Sequence, residues 1–157
     1  MTIDEEIQQS RWESPQQKAV INVLFTSRTL EAATAAVLEV HDLTAAQFNI
    51  LRIVRGQKGK PASIKLLVER MLDKSSNASR IVDRLVEKGL VNRIVCPKDR
   101  RAVEVTLTAE GSALLSRIDT SGHAWSRLAP GFSDADAQAL SRLLDRLREA
   151  VSNSIHS

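Results

Sequence analysis

Residues 73–107 read DKSSNASRIVDRLVEKGLVNRIVCPKDRRAVEVTL, and the spacing of their apolar side chains changes part-way along. Up to Val86 the apolar residues recur at steps of three and four, which is the spacing of one face of an α-helix. This pattern predicts a helix that starts near Asp73–Ser75 and ends at Gly89. The face predicted to be buried comprises Ala78, Ile81, Val82, Leu85 and Val86.

After Gly89 the sequence alternates between apolar and polar residues, which is typical of a half-buried β-strand. The alternation predicts strands at Val91–Val95 and Ala102–Leu107, joined by a long basic tip at residues 96–101. A short amphipathic helix that Ser63 can cap comes before the helix of residues 73–89. Two helices joined by a turn and followed by a hairpin predict a winged helix-turn-helix.

The flanking segments are helical by pattern. Ser14, Pro15 and Gln17 favour the start of a long helix that runs to about His41, and a Thr44–Gln47 capping box starts a helix that ends at Gly56. One further helix is predicted from Thr108 to about Ala129, another from Ser133, and a small extra strand near Lys60–Ala62. The last helix carries a narrow coiled-coil-like stripe of Leu140, Leu143, Leu144, Leu147 and Val151.

The predicted fold class is therefore mainly α with a small β-hairpin. We expect a winged helix-turn-helix at residues 44–107, between an N-terminal arm at residues 1–43 and C-terminal helices at residues 108–157.

Composition excludes several classes of protein. The 157 residues include a single cysteine, so a disulfide scaffold is excluded, and no apolar run approaches the roughly 20 residues that span a membrane. The acidic, polar start resembles neither a secretory signal nor a transit peptide, so a cytoplasmic protein is expected. The three histidines are widely scattered, and nucleotide-binding glycine loops and nucleophile-elbow motifs are absent from the sequence. We expect no enzyme, no metal and no cofactor.

The net charge of +3 is unevenly distributed along the chain. Residues 60–101 contain eleven Lys and Arg against five Asp and Glu, which gives this segment +6 and leaves −3 for the rest. A basic centre between mildly acidic arms favours a polyanionic partner, although a basic solvated surface explains the count equally well.

The start of the helix at residues 73–89 suits the major groove of DNA, which admits one α-helix. Ser75, Ser76 and Ser79 could donate to phosphates or bases, Asn77 could bind adenine and Arg80 guanine. Lys74 and Arg84 are candidates for phosphate contacts. We expect Asp83 to pair with Arg80 or Arg84 on the same helix.

The hairpin tip would extend toward the minor groove, where a narrow groove attracts cations. Asp99 would orient Arg101 through a charge-assisted hydrogen bond, and Lys98 and Arg100 join the contact set by charge and position. Cys96 could be an oxidant-sensitive thiol activated by nearby cations, or an ordinary cysteine at a strand end.

Three segments together resemble the core of a MarR-family transcriptional regulator. They read LTAAQFNILRIV at 43–54, RMLDKSSNASRIVDRLVEKGLVNR at 70–93 and DRRAVEVTLTAEG at 99–111. The resemblance places Ser75–Arg80 in the recognition helix, and Asp99 and Arg101 on the Asp-x-Arg of the wing. It implies a homodimer that binds pseudo-palindromic double-stranded DNA, usually as a repressor.

The resemblance also implies a small-molecule effector, bound between the dimer arms and the winged domain. Candidate lining residues are Phe25, His41, Phe48 and Trp125, although each could be ordinary core or dimer packing. The alternative function is a winged-helix protein-interaction module without specific DNA binding.

Overall fold

The computed structural model describes residues 1–96, 99–121 and 128–155, with the backbone alone for residues 96 and 99–102. The chain divides into two compact units, Met1–Ala124 and Trp125–Ser157, and the second contains helix α7 (Asp134–Ile155). The first unit contains α1 (Ile3–Glu6), α2 (Pro15–Glu39), α3 (Ala45–Arg55), β1 (Ala62–Ser63), α4 (Ile64–Arg70), α5 (Ala78–Glu87), β2 (Val91–Cys96), β3 (Asp99–Leu107) and α6 (Ala109–Thr120). The predicted, mainly helical winged helix-turn-helix is confirmed.

Local capping rules set the starts of three helices. Ser14 Oγ accepts a hydrogen bond from the Gln17 amide at 3.1 Å at the start of α2. Thr44 and Gln47 form the complete predicted capping box of α3, with bonds of 3.2 and 3.1 Å. Ser63 Oγ caps α4 by accepting from the Leu66 amide at 3.1 Å. Each bond satisfies a backbone donor that has no partner within its helix.

Helix α5 starts later than the sequence predicted. Its N-cap is Asn77, whose Oδ1 accepts from the Arg80 amide at 3.1 Å, so Ser75 and Ser76 precede the helix instead of opening it. Asp73 accepts from the Ser75 amide at 2.9 Å and thereby holds the chain in a local turn. Side-chain bonds of this kind compete with helical backbone geometry, which explains the shift.

Helix α6 ends at Thr120, well before the predicted end near Ala129. The hydroxyls of Thr120 and Ser121 donate to the carbonyl oxygens of Arg117 and Ile118, at 3.0 and 2.9 Å. These side chains satisfy carbonyls of the last turn and favour its termination.

The sheet is antiparallel with strand order β1-β3-β2, and β1 confirms the predicted extra strand. The hairpin strands extend to Cys96 and Asp99, which pair with each other, so the tip is shorter than predicted. Val95 pairs with Val103 and the next residue, Cys96, pairs with Asp99, so one residue along β2 corresponds to four along β3. The three extra residues, 100–102, form a bulge next to the tip.

One hydrophobic core joins α2–α6 to the sheet. Phe48 and Leu51 of α3 are almost fully buried with Val82 of α5, Val105 of β3 and Leu115 of α6. Helix α5 therefore lies on α3, and its polar side is directed away from the core. Val86, which was predicted to be buried, is 40% exposed, so the buried stripe of α5 is narrower than the periodicity indicated.

Helix α7 begins with a bond from the Asp136 amide to Ser133 Oγ at 3.1 Å, as predicted. None of its residues is buried within the chain, and the leucine stripe includes the exposed Leu140 and Leu143. Among the described residues, no helix has the length and apolar character needed to cross a membrane.

Gly111 lies where α6 meets the loop that leads into β2. A Cβ on this residue would lie 2.1 Å from the Leu90 carbonyl oxygen and 3.0 Å from the Leu90 carbonyl carbon. That oxygen also accepts from the Thr108 amide at 3.1 Å, so it belongs to a fixed piece of backbone. The segment therefore requires glycine for reasons of space.

We expect Gly111→Ala to destabilise the protein by about 3 kcal/mol, at the upper end of the usual range for overpacking, because a backbone atom cannot rotate away. Chemical denaturation measures the change. Ser112→Ala, one residue along on the exposed side of α6, is the matched control. A loss below about 0.5 kcal/mol for Gly111→Ala contradicts the close approach.

Candidate nucleic-acid interface

The turn between α4 and α5 is held from inside the protein. Asn49 of α3 is buried, and its Oδ1 accepts from the Leu72 amide at 2.9 Å. The β1 pairing of Ala62 with Val105 fixes the other end of α4 to the sheet. The start of α5 is thus supported by both a helix and a strand.

Asp73 organises the turn through its carboxylate. It accepts from the hydroxyls of Ser75 and Ser76, each at 2.6 Å, in addition to the Ser75 amide. The Ser75 hydroxyl bond is the main reason that the pKa of the Asp73 carboxyl falls to about 2, and the Ser76 hydroxyl bond comes next. Both serine protons are directed at Asp73, so these hydroxyls have oxygen lone pairs left to offer a ligand.

Lys74 also belongs to the turn. Its Nζ donates to the Val68 carbonyl oxygen at 3.1 Å and to that of Glu69. A cation at the end of α4 is favoured by the helix dipole. Lys74 therefore closes α4 while its side chain remains exposed.

The outer side of α5 presents Arg80, whose exposed guanidinium has no ion-pair partner among the described residues. Asn77 uses one lone pair of its Oδ1 for the helix cap, so a bidentate contact with adenine would use the second lone pair together with the side-chain NH2 group. Ser79 is half-buried beside these two residues. Polar groups at this helix end lie where backbone N–H groups and the dipole favour an anion.

The expected pairing of Asp83 within α5 is wrong. Asp83 Oδ1 binds Arg93 Nη1 of β2 at 2.8 Å, and Arg84 Nη1 binds Glu87 Oε2 at 2.7 Å. The distance between α5 and β2 in the fold is short, although Asp83 and Arg93 are ten residues apart in sequence. The pair connects the helix to the base of the hairpin.

Four predicted contact residues of the hairpin lie outside the described part of the structure, in whole or in their side chains. Lys98 lies outside the described residues, and so do the side chains of Asp99, Arg100 and Arg101. The thiol of Cys96 also lies outside them. The Asp99–Arg101 bond and the role of Cys96 stay predictions.

The predicted effector-lining residues are not brought together by the first unit. Phe25 lines a mainly apolar groove of about 500 Å³ with Ile7, Ile21, Leu24, Ser27, Arg28 and Glu31. His41 lies two residues beyond Glu39, the end of α2, which is roughly 21 Å along the helix axis from Phe25. Phe48 is buried in the core, where the Arg52 guanidinium lies 5.9 Å from its ring centroid, and Trp125 lies outside the described residues. Within the described part of the chain, no cluster of three metal-ligating side chains occurs.

Comparison with known proteins identifies the family. The model of the MarR family matches residues 41–102. The HTH-type transcriptional regulator PecS of Dickeya dadantii is 30% identical over an alignment of 164 positions, which covers 98% of this chain and 97% of PecS. The chain belongs to the MarR family.

Two solved structures of similar proteins share the fold. A MarR transcription factor from Planctomyces limnophilus is 27% identical, with a TM-score of 0.66 over 86% of this chain and 98% of that one. Bordetella bronchiseptica BpsR, whose structure concerns regulation of its DNA binding by 6-hydroxynicotinic acid, is 25% identical, with a TM-score of 0.63 over 81% of this chain and 98% of BpsR. The predicted identity as a MarR-family winged-helix regulator is confirmed.

Two supports of the interface in this MarR-family chain were not among the residues predicted from sequence. Asn49 stands between Phe48 and Ile50, and a polar residue within an apolar run was the available signal for a buried side chain that binds the backbone. Lys88 at the end of α5 binds Asp42 Oδ2 at 2.8 Å and also donates to the Asp42 carbonyl oxygen. Those partners are 46 residues apart, so local patterns gave no signal for them.

We expect the Asp73 carboxyl to titrate near pH 2 in the intact protein, and its pKa to rise toward 3.8 in a Ser75→Ala, Ser76→Ala double variant. Asp73 then contributes stability that is complete above about pH 4 and lost as the pH falls through 2, because the ionised form makes the bonds. A carbon-detected NMR titration measures the pKa. Ser79→Ala, which removes a hydroxyl that is not a donor to Asp73, should leave it unchanged. Titration of Asp73 near 3.8 in the parent protein contradicts the network.

Proposed function

We propose that the chain is a transcriptional regulator that binds double-stranded DNA sequence-specifically and acts as a homodimeric repressor on a pseudo-palindromic operator. The observation that carries the proposal is the start of α5, where the exposed Arg80 and the Asp73-organised turn face away from the core. The regulator acts without enzymatic activity, and in the cytoplasm, where its DNA is.

The electrostatics of the segment support DNA as the partner. Residues 60–101 carry a net +6, and Lys65 is 87% exposed on α4 while Arg80 is exposed on α5. Arginine can donate two parallel hydrogen bonds to guanine in the major groove. We assign base contacts to Ser75, Ser76, Asn77, Ser79 and Arg80, and phosphate or minor-groove contacts to Lys74, Arg84, Lys98, Arg100 and Arg101. Asp99 belongs to the same interface as the residue that orients Arg101.

Dimerisation is supported by the apolar surface of α7. Leu143 is 58% and Val151 47% exposed, and they belong to a stripe with the periodicity of a helix-packing seam. Exposed alanines of α2 at positions 32, 35 and 36 would allow another helix to approach closely. We assign residues 1–43 and 108–157 to dimerisation, and residues 44–107 to DNA binding.

Release by a small molecule is supported by the likeness to Bordetella bronchiseptica BpsR, whose DNA binding is regulated by 6-hydroxynicotinic acid. In this chain we propose an effector site to which Phe25, His41, Phe48 and Trp125 contribute in the assembled dimer. The site is mainly aliphatic, because the sequence holds only three Phe, two Trp and no Tyr.

Selection of fragments from genomic DNA with the purified chain should return a pseudo-palindromic operator. The affinity of the protein for this operator should fall by about 10³-fold or more between 50 and 200 mM salt, because several Lys and Arg release counterions from phosphates.

Arg80→Ala should relax the base preference at one position in each half-site, at a loss of about 1–3 kcal/mol in binding free energy, whereas Arg101→Ala should weaken binding to all sequences alike. A flat salt response indicates the alternative, a protein-interaction module.

The chain should have twice its 17.3 kDa mass by light scattering. Leu143→Glu should produce monomer, because a charge within an apolar seam loses its hydration on association. Gln138→Glu adds the same charge about 140° around α7 from Leu143 and should remain dimeric. A monomeric parent protein, or a dimeric Leu143→Glu variant, contradicts the assignment of this surface.

A further inference from the structure

Arg52 and Arg55 hold a single carboxylate between two helices. Arg52 Nη1 lies 3.2 Å from Asp119 Oδ1, and Arg55 Nη1 lies 2.5 Å from Asp119 Oδ2. The arginines belong to the last turn of α3 and the aspartate to the last turn of α6. Each carboxylate oxygen thus receives its own arginine, and we call these three residues the ion triad.

The ion triad is partly withdrawn from solvent. The side chains of both arginines are 32% exposed and that of Asp119 is 25% exposed. Arg52 also lies over the ring of the buried Phe48. Such a pair is screened by salt less than one on the open surface.

The position of Asp119 is electrostatically unfavourable within its own helix. A carboxylate in the last turn meets the negative end of the helix dipole, while arginines in the last turn of α3 are favoured there. The two arginines compensate for the misplacement of Asp119. The ion triad therefore stabilises the contact between the end of α6 and α3, and it does not stabilise α6 as an isolated helix.

Helix α6 ends one residue beyond Asp119, and the first compact unit ends at Ala124. The chain then continues to α7, whose apolar stripe we assigned to the second copy. On the other side of the ion triad, α3 packs against α5 in the common core. The ion triad is thus the last described ionic anchor between the DNA-reading part and the segment that leads to the dimer contact.

We propose that Asp119 is a positioning residue for DNA recognition, which holds α6 to α3 and so fixes the separation of the two α5 helices in the dimer. The inference rests on the proposed function. Two half-sites on DNA rotate by about 34–36° relative to each other for each added base pair, so a fixed separation produces a sharp preference for one spacing. A dimer without this anchor tolerates several spacings and binds the best one less tightly.

The test compares Asp119→Asn with Glu110→Gln. Both remove one carboxylate charge from α6, but Glu110 pairs at 3.0 Å with Arg117 of the same helix, so its loss leaves α6 anchored to α3. The DNA probes are the operator obtained by genomic selection, the same operator with one or two base pairs added or removed between its half-sites, and a single half-site. Affinities are measured with the full-length dimer of each variant.

Asp119→Asn should bind the operator about tenfold more weakly and discriminate less between spacings, with affinity for the single half-site unchanged within about twofold. Glu110→Gln should retain the spacing profile of the parent protein. Arg55→Gln breaks the ion triad from the α3 side and should reproduce the spacing profile of Asp119→Asn. It replaces Asp119→Asn in the test if Asp119→Asn does not fold.

An Asp119→Asn or Arg55→Gln profile that matches the parent overturns the inference. So does an equal loss on all probes including the single half-site, which is the result of general damage to the core. A parent protein that is monomeric or binds DNA without salt dependence overturns the proposed function itself. In the first two outcomes the parent protein still shows a sharp spacing preference, and in the third it does not. Failure of the inference is therefore distinguishable from failure of the proposed function.

Discussion

The burial of one narrow face of α5 on α3 is the contact on which the rest of the arrangement depends. Val82 and Leu85 are inaccessible to solvent, and Ala78 is nearly so. Once these three positions face Phe48 and Leu51 of α3, helical geometry directs the remaining positions outward. Apart from the partly exposed Val86, the outward set is mainly polar and includes the Arg80 guanidinium, so the packing of the core determines which groups are available to a ligand.

The basic charge of the central segment is partly neutralised by contacts within the protein. Arg93 pairs with Asp83, Arg84 with Glu87, and Lys88 with Asp42. Lys74 is directed at backbone carbonyls. Arg93 joins β2 to α5 and Lys88 joins the end of α5 to the turn after α2, whereas Arg84 pairs within α5. The field that a polyanion meets is therefore weaker at these paired cations than at Arg80, which has no ion-pair partner among the described residues. Exposed pairs contribute little stability individually, so their main effect is on side-chain direction.

Short-range features of the fold were predictable from the sequence, and long-range ones were not. The caps at Ser14, Thr44 and Ser63 follow from residues three apart, so the pattern determined them. The start of α5 was not predictable in this way, because Asp73, Ser75 and Asn77 can each cap a helix. The hydrogen bond from the Ser75 amide to Asp73 holds a turn there, which leaves Asn77 as the cap. The partners Asp83–Arg93 and Arg52–Asp119 depend on packing between elements, which periodicity does not encode. The composition of the candidate interface was predictable, but the hydrogen-bond roles of its members were not.

The solvent exposure of the α7 stripe has a consequence for how the regulator is maintained in a cell. Helix α7 has no buried side chain, and most helical stability in proteins comes from packing of an apolar face, so its order depends on a surface that covers the stripe. In the proposed dimer, the order of this segment is therefore a bimolecular quantity that rises with protein concentration. Newly made chains at low abundance would present exposed leucines to proteases and chaperones until a partner arrives. The concentration of folded dimer would then rise more than proportionally with the rate of synthesis of the chain.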